Sequence, residues 1–155
     1  TATTQAVGEN PGNTFGQGKF LPRIAMAHDI PYVATASIAD LRDLEAKVLK
    51  AMEFRGARYI HILVPCPLGW GSASCDTIKI ARLATQSGLF PLFEAVNGEM
   101  ITSTPIRKRV DVEEYLKLQS RYAHLFSPTR NEEVISHLRR MAERNIERYN
   151  LLGVA

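Results

Sequence analysis

The 155-residue chain is poor in cysteine, with only Cys66 and Cys75, and it has a single tryptophan, Trp70. Two cysteines cannot build a disulfide framework, so reduced thiols in a cytoplasmic setting are the expectation. No run of about 18 apolar residues occurs, which excludes a membrane-crossing helix. The first residues also lack the charged-then-apolar pattern of a secretory signal. Acidic charge thins out late in the chain: residues up to 106 hold 9 basic and 9 acidic side chains, whereas those after it hold 10 and 7. The net charge of +3 is therefore a property of the tail. It is too weak, and too poor in interleaved aromatics, for a nucleic-acid partner, and it reads as a solvated helical surface or a dock for an acidic partner. With 10 Gly, 8 Pro and 45% hydrophobic residues, collagen-like and wholly disordered chains are excluded as well.

What remains fits one domain with a sizeable core. Residues 1–18 carry Gly8, Gly12, Gly16 and Gly18 without an apolar period, and the chain opens on Thr1 rather than Met. Such a start suggests a piece of something larger. A short helix is expected over Leu21–His28, with Pro22 in its first turn. A buried strand follows over Pro31–Ser37, and then a helix capped by Asp40 with Leu41, Leu44, Val48, Leu49 and Met52 at helical spacing and Arg42, Asp43, Lys47 and Lys50 facing away. The strongest strand is Tyr59–Val64, stopped by Pro65. After the loop Cys66–Gly71 come a helix over Asp76–Ser87 closed by Gly88 and a strand over Pro91–Val96 turning at Asn97-Gly98. Alternating apolar strands and helices predict an α/β fold, a three-layer parallel sheet with helices on both faces. The tail adds helices begun at Asp111 and Thr129, each with a glutamate three residues on, and the last carries the apolar stripe Val134, Ile135, Leu138, Met141, Ala142, Ile146 and Tyr149.

Few residues offer chemistry. Gly18-Lys19 is followed by Phe20, so no phosphate loop is formed, although an anion cradle and a plain surface loop both stay open. The four histidines do not pair at metal-ligand spacing, and His61 lies inside the best strand as a core histidine. Cys66 is the sharpest position. It directly follows the carboxyl end of a strand, where ligands bind in open parallel sheets, and prolines flank it. A buried structural thiol and a soft-metal ligand are its two readings. Cys75 reads as structural.

The segments Ile30-Pro-Tyr-Val-Ala-Thr-Ala-Ser-Ile38, Val64-Pro-Cys-Pro-Leu-Gly-Trp70, Ile80-Ala-Arg-Leu-Ala84 and Gly88-Leu-Phe-Pro-Leu-Phe-Glu94 occur in order, followed by Val112-Glu-Glu-Tyr-Leu-Lys-Leu-Gln119. Together they resemble the thiamine-pyrophosphate-binding beta subunit of 2-oxoacid:ferredoxin oxidoreductases, the pyruvate synthase type, from about Gln5 to Phe126. The resemblance implies a partial thiamine-diphosphate-binding fold over residues 1–106 and a helical tail over 107–155 for packing or subunit contacts. It implies thiamine diphosphate with Mg2+ and a 4Fe-4S cluster as cofactors, with Cys66 as a cluster ligand. Gln5 and Pro11 keep the spacing of the family's loop that meets magnesium and diphosphate, which makes Thr3, Thr4 and Gln5 the implied cofactor-binding residues. Thr3, Thr4 and Asn10 depart from its usual residues.

The family's Gly-Asp-Gly segment and its other cluster cysteines are absent from these 155 residues. The expectation is the C-terminal half of a longer subunit, or a chain completed by a companion, inactive alone. The implied activity is oxidative decarboxylation of a 2-oxo acid, pyruvate favoured, to acyl-CoA and CO2, with electrons leaving through clusters. The implied partners are the other subunits of the complex, coenzyme A and ferredoxin or a similar acceptor. A non-catalytic assembly subunit and a non-redox thiamine-dependent decarboxylase are the rival readings.

Overall fold

The computed structural model describes residues 19–153, and at its centre lies strand β1 (Tyr32–Ser37), whose six residues are all buried. Side chains alternate across a strand, so burial at six successive positions requires cover on both faces. Tyr32 and Ala34 pack with Ala51 of helix α2 (Leu41–Glu53) and with Phe54. Val33 points the other way, toward Phe93, Tyr149 and Ala25 of helix α1 (Leu21–Ala27). Helices therefore cover both faces, as the alternation of elements predicts.

Asp40 caps α2, its Oδ1 accepting from the Asp43 amide at 3.1 Å. Lys47 of the same helix is buried, and its ammonium donates to Thr35 O at 2.9 Å and to Asp43 Oδ2 at 2.7 Å. An unpaired buried ammonium would be strongly destabilising; Asp43 supplies its counter-ion within α2, and the Thr35 carbonyl pins α2 onto β1.

Strand β2 (Arg58–Leu63) runs parallel to β1, from Arg58 opposite Tyr32 to Leu63 opposite Ser37. Strand β3 (Phe93–Val96) lies on the other side of β1 and runs antiparallel, with Val96 opposite Tyr32. The all-parallel expectation is thereby corrected. Asn97 and Gly98 both have positive φ, 49° and 82°, which suits a two-residue hairpin turn. That turn leads into β4 (Glu99–Ser103), antiparallel to β3, and the described residues form a mixed sheet of order β2-β1-β3-β4.

The reversal has a packing cause. Helix α4 (Thr77–Gln86) follows a one-turn helix α3 (Pro67–Trp70), and its apolar side, Ile80, Leu83 and Ala84, is taken up by the tail. The chain then re-enters the sheet beside the carboxyl end of β1 instead of crossing back to its start. There the Thr35 hydroxyl donates to Pro91 O at 2.7 Å and accepts from the Phe93 amide at 2.9 Å. It satisfies the Phe93 amide and the Pro91 carbonyl just past the end of the β1–β3 ladder.

The tail comprises α5 (Val112–Leu116), a 3-10 segment (Ser120–Leu125) and α6 (Glu132–Arg148). Asp111 caps α5, but α6 is capped by Asn131, whose Oδ1 accepts from the Val134 amide at 3.1 Å, and not by Thr129. Ile135 and Ala142 share a core with Trp70 and Ile80, while Ile146 and Tyr149 join Val33 and Phe93. The tail is thus part of the same packing as the sheet.

Glu113 ties α5 to α6. It receives Arg130 at 2.6 Å, Lys117 at 2.8 Å and Arg139 at 2.5 Å. The hydrogen bond from Arg130, then that from Lys117, holds its carboxyl down at about 2, below the ordinary 4.5. A depressed carboxylate stabilises the fold above its unfolded value and loses that contribution as pH falls through its folded one. Glu113→Gln should therefore be less stable at pH 7 by about 1 kcal/mol, the scale of a partly solvated charge network. The gap should close between pH 4.5 and about 2. Urea unfolding at a series of pH values checks this, and a pH-independent gap would contradict it.

Candidate functional site

Strand β2 delivers Cys66 to the surface. Past Leu63 the chain runs through exposed Val64 and buried Pro65, and Cys66 is exposed. The buried-thiol reading of this residue is thereby overturned. Cys66 has extended backbone, φ −99° and ψ 106°, and it caps α3, where Pro67 occupies a first-turn position that needs no N–H. Its carbonyl accepts from the Trp70 amide at 2.9 Å. Its Sγ accepts from the Gly69 amide at 3.4 Å. A Cβ at position 69 would stand 3.4 Å from that sulfur, so glycine leaves the sulfur's flank open. Sequence reasoning placed a loop over Cys66–Gly71; the proline after a capping residue was the signal of the helical turn within it.

Gly71 closes the turn in the left-handed region, φ 62°. Its carbonyl accepts from the Ser120 amide at 2.9 Å, and a Cβ there would overlap the Ser120 hydroxyl. Trp70 is buried, and the Arg121 guanidinium lies over its ring at 3.9 Å. No local sequence pattern announces this contact, because it joins the Cys66 turn to the distant segment after α5. One residue beyond Gly71, the Ser72 hydroxyl is buried with no hydrogen-bond partner among the described residues.

The other candidates stand apart from this turn. Cys75 is free and exposed in a 3-10 turn, Ser74–Asp76. His61 is half-buried, with Nδ1 2.9 Å from the Tyr59 hydroxyl and its ring 5.9 Å from that of Phe90; burial pushes its pKa down, which keeps it neutral. A cleft of about 240 Å3 beyond the carboxyl end of β1, lined by Ser37, Asp40, Arg82 and Arg107 among others, includes no residue of the Cys66 turn. Thr3, Thr4, Gln5 and the glycine-rich start lie outside the described residues.

Among the described residues no three His, Cys, Asp or Glu side chains gather as a metal site. An exposed thiol with an amide aimed at its sulfur and open space beside it fits one ligand of a metal cluster. The described donor set does not fit a whole one, since four thiolates are usual. On either count the turn must hold its shape. Gly71→Ala should lose roughly 2 kcal/mol or more from strained backbone and overlap with Ser120. Gly69→Ala, at ordinary contact distance, should unfold like the parent. Denaturant unfolding of the two variants separates them, and a parental Gly71→Ala would contradict this geometry.

No protein-family model matches the chain. Curated relatives do. The pyruvate synthase subunit PorB of Methanosarcina barkeri is 42% identical over 151 residues, covering 97% of this chain and 51% of that protein. PorB of Methanocaldococcus jannaschii is 42% identical over 136 residues, 88% of this chain and 43% of that protein. The ketoisovalerate oxidoreductase subunit VorB of Pyrococcus abyssi is 44% identical over 104 residues, 66% of this chain and 33% of that protein. The chain thus spans about half the length, or less, of the curated relatives it matches. With these matches added to motifs that occur in order from β1 to α5, the chain belongs to the PorB and VorB family, the beta subunits of 2-oxoacid:ferredoxin oxidoreductases that its motifs resemble.

Proposed function

We propose that the chain is the part of a 2-oxoacid:ferredoxin oxidoreductase beta subunit that supplies one thiolate, Cys66, to a 4Fe-4S cluster. The complex oxidatively decarboxylates a 2-oxo acid, pyruvate first among candidates, to acyl-CoA and CO2 and passes the electrons to ferredoxin or a similar acceptor. The observation that carries this reading is the exposed Cys66 sulfur at the carboxyl end of a strand paired in parallel, on a turn closed by Trp70 and Gly71.

When bound, thiamine diphosphate with Mg2+ supplies an electron sink for the decarboxylation, and the cluster a path for single electrons. The protein's own contribution is placement. Pro65 and Pro67 restrict the backbone on either side of Cys66, and the β2–α3 junction aims the thiol outward. The Gly69 amide donates to the sulfur, and such hydrogen bonds tune the potential of a cluster. Val64 and Leu68, 56% and 95% exposed, give the site an apolar rim suited to being covered by protein. That fits a cluster whose other ligands, like the contacts to diphosphate and magnesium, come from outside the described residues.

Replacing Cys66 with Ala in the assembled complex should abolish the iron of this cluster and with it ferredoxin reduction. Iron per complex and the absorbance at about 400 nm, where iron–sulfur thiolates absorb, read the first directly. Full iron content in Cys66→Ala would overturn the ligand assignment. A parent complex without iron would favour a non-redox decarboxylase, and turnover of a panel of 2-oxo acids, with and without coenzyme A, identifies the substrate.

A further inference from the structure

We propose that the cleft beyond the carboxyl end of β1 binds a phosphate monoester. Arg82 and Arg107 take the phosphate, and the apolar part of the lining takes the organic group. The cleft includes no residue of the Cys66 turn, so this assignment does not depend on the reading of Cys66.

The fold opens this cleft. At the carboxyl end of β1 the chain leaves toward β2 on one side, while β3 begins on the other, with Glu94 opposite Ala34. In open α/β sheets such a divergence leaves a crevice in which ligands bind. Here it measures about 240 Å3. Its walls are preformed. Leu92 and Leu151 are buried, the Thr104 amide donates to Leu92 O at 2.8 Å, and the Ile106 amide donates to Leu151 O at 2.7 Å. Those two bonds fix the linker that carries Arg107. Arg82 stands on α4, which Ile80, Leu83 and Ala84 seat in the core.

The charges select the ligand. Arg82 and Arg107 are exposed, and among the described residues neither pairs with a carboxylate, whereas Arg109, Arg130 and Arg139 each do. Asp40 also lines the cleft, but its Oδ1 accepts from the Asp43 amide, so it caps α2 rather than neutralising an arginine. Two cations against one capping carboxylate leave the cleft positive, and a recess of that sign concentrates anions. The neutral polar groups are donors as well. The Ser37 hydroxyl accepts from the Ala39 amide at 3.2 Å, which leaves its proton to give, and the Gln86 side-chain amide meets no acceptor among the described residues. One guanidinium fork suffices for a carboxylate. Two guanidiniums with two further donors suit the three oxygens and greater charge of a phosphate. Phe90, Leu92 and Leu151 make the rest of the lining apolar, which fits an organic group carried by that phosphate.

The test titrates the complete complex with phenyl phosphate, inorganic phosphate and benzoate, and follows amide hydrogen exchange in segments 82–92 and 104–107. Phenyl phosphate should slow exchange in both segments, and at a lower concentration than inorganic phosphate. Benzoate should need about tenfold more, the scale of one charge-assisted hydrogen bond. Arg82→Gln and Arg107→Gln should each weaken the effect of phenyl phosphate by about tenfold. Both should unfold thermally like the parent, because neither guanidinium has an ion-pair partner among the described residues. No slowing at saturating phenyl phosphate, or parental slowing in the double variant, would overturn the proposal. Benzoate as effective as phenyl phosphate would overturn the phosphate assignment, and inorganic phosphate as effective would overturn the role of the apolar lining. Should a variant lose stability, the comparison of the three anions on the parent complex decides.

Discussion

Burial of β1 on both faces dictates how the other elements are arranged around it. Six consecutive buried residues cannot be covered by one layer, so α2 must close one side and α1 with the end of α6 the other. The same burial leaves the main chain of β1 only its two neighbours for hydrogen bonding, β2 in parallel and β3 antiparallel. Because β2 is parallel and in register to its last residue, both carboxyl ends fall on one side of the sheet. Cys66 emerges there. Thr35 and Lys47 secure the arrangement with polar bonds inside the core, one completing the ladder to β3 and the other anchoring α2.

The tail is the second half of this design. Trp70 lies in a core built from α4, α5 and α6, so the turn that carries Cys66 is packed from below by residues far along the chain. Gly71 and Ser120 bring two backbones together at a distance only glycine permits, and the Glu113 network holds α5 against α6. An exposed thiol on a firmly held turn combines access with rigidity.

Much of the layout was legible in the sequence, for reasons that can be named. The Asp40 cap is a local signal and α2 begins where it places it, but the stripe from Leu41 to Met52 does not face the core: Leu41, Val48, Leu49 and Met52 are exposed, whereas Lys47, expected to face away, and Ala51 are buried. The direction of β3 was not legible, because it depends on where α4 finds its apolar cover, and that cover comes from the tail. Strand β4 was missed although Asn97-Gly98 is a hairpin signal, since an alternating β–α reading does not expect one there. Asn131 displaced Thr129 as a cap by a shift of two residues that propensity cannot resolve. At the site, the position of Cys66 followed from strand and proline signals, whereas its exposure is a tertiary property. The Arg121–Trp70 stack joins residues about fifty apart and leaves no local pattern.

We propose that the Cys66 sulfur is bonded to iron in the complete complex. Crystals of that complex, measured at the iron absorption edge, test it most directly. Anomalous density for an iron atom within bonding distance of Cys66 Sγ, in a cluster whose remaining ligands come from outside residues 19–153, is the expected result. A cluster fully ligated elsewhere, with Cys66 Sγ free, would contradict it.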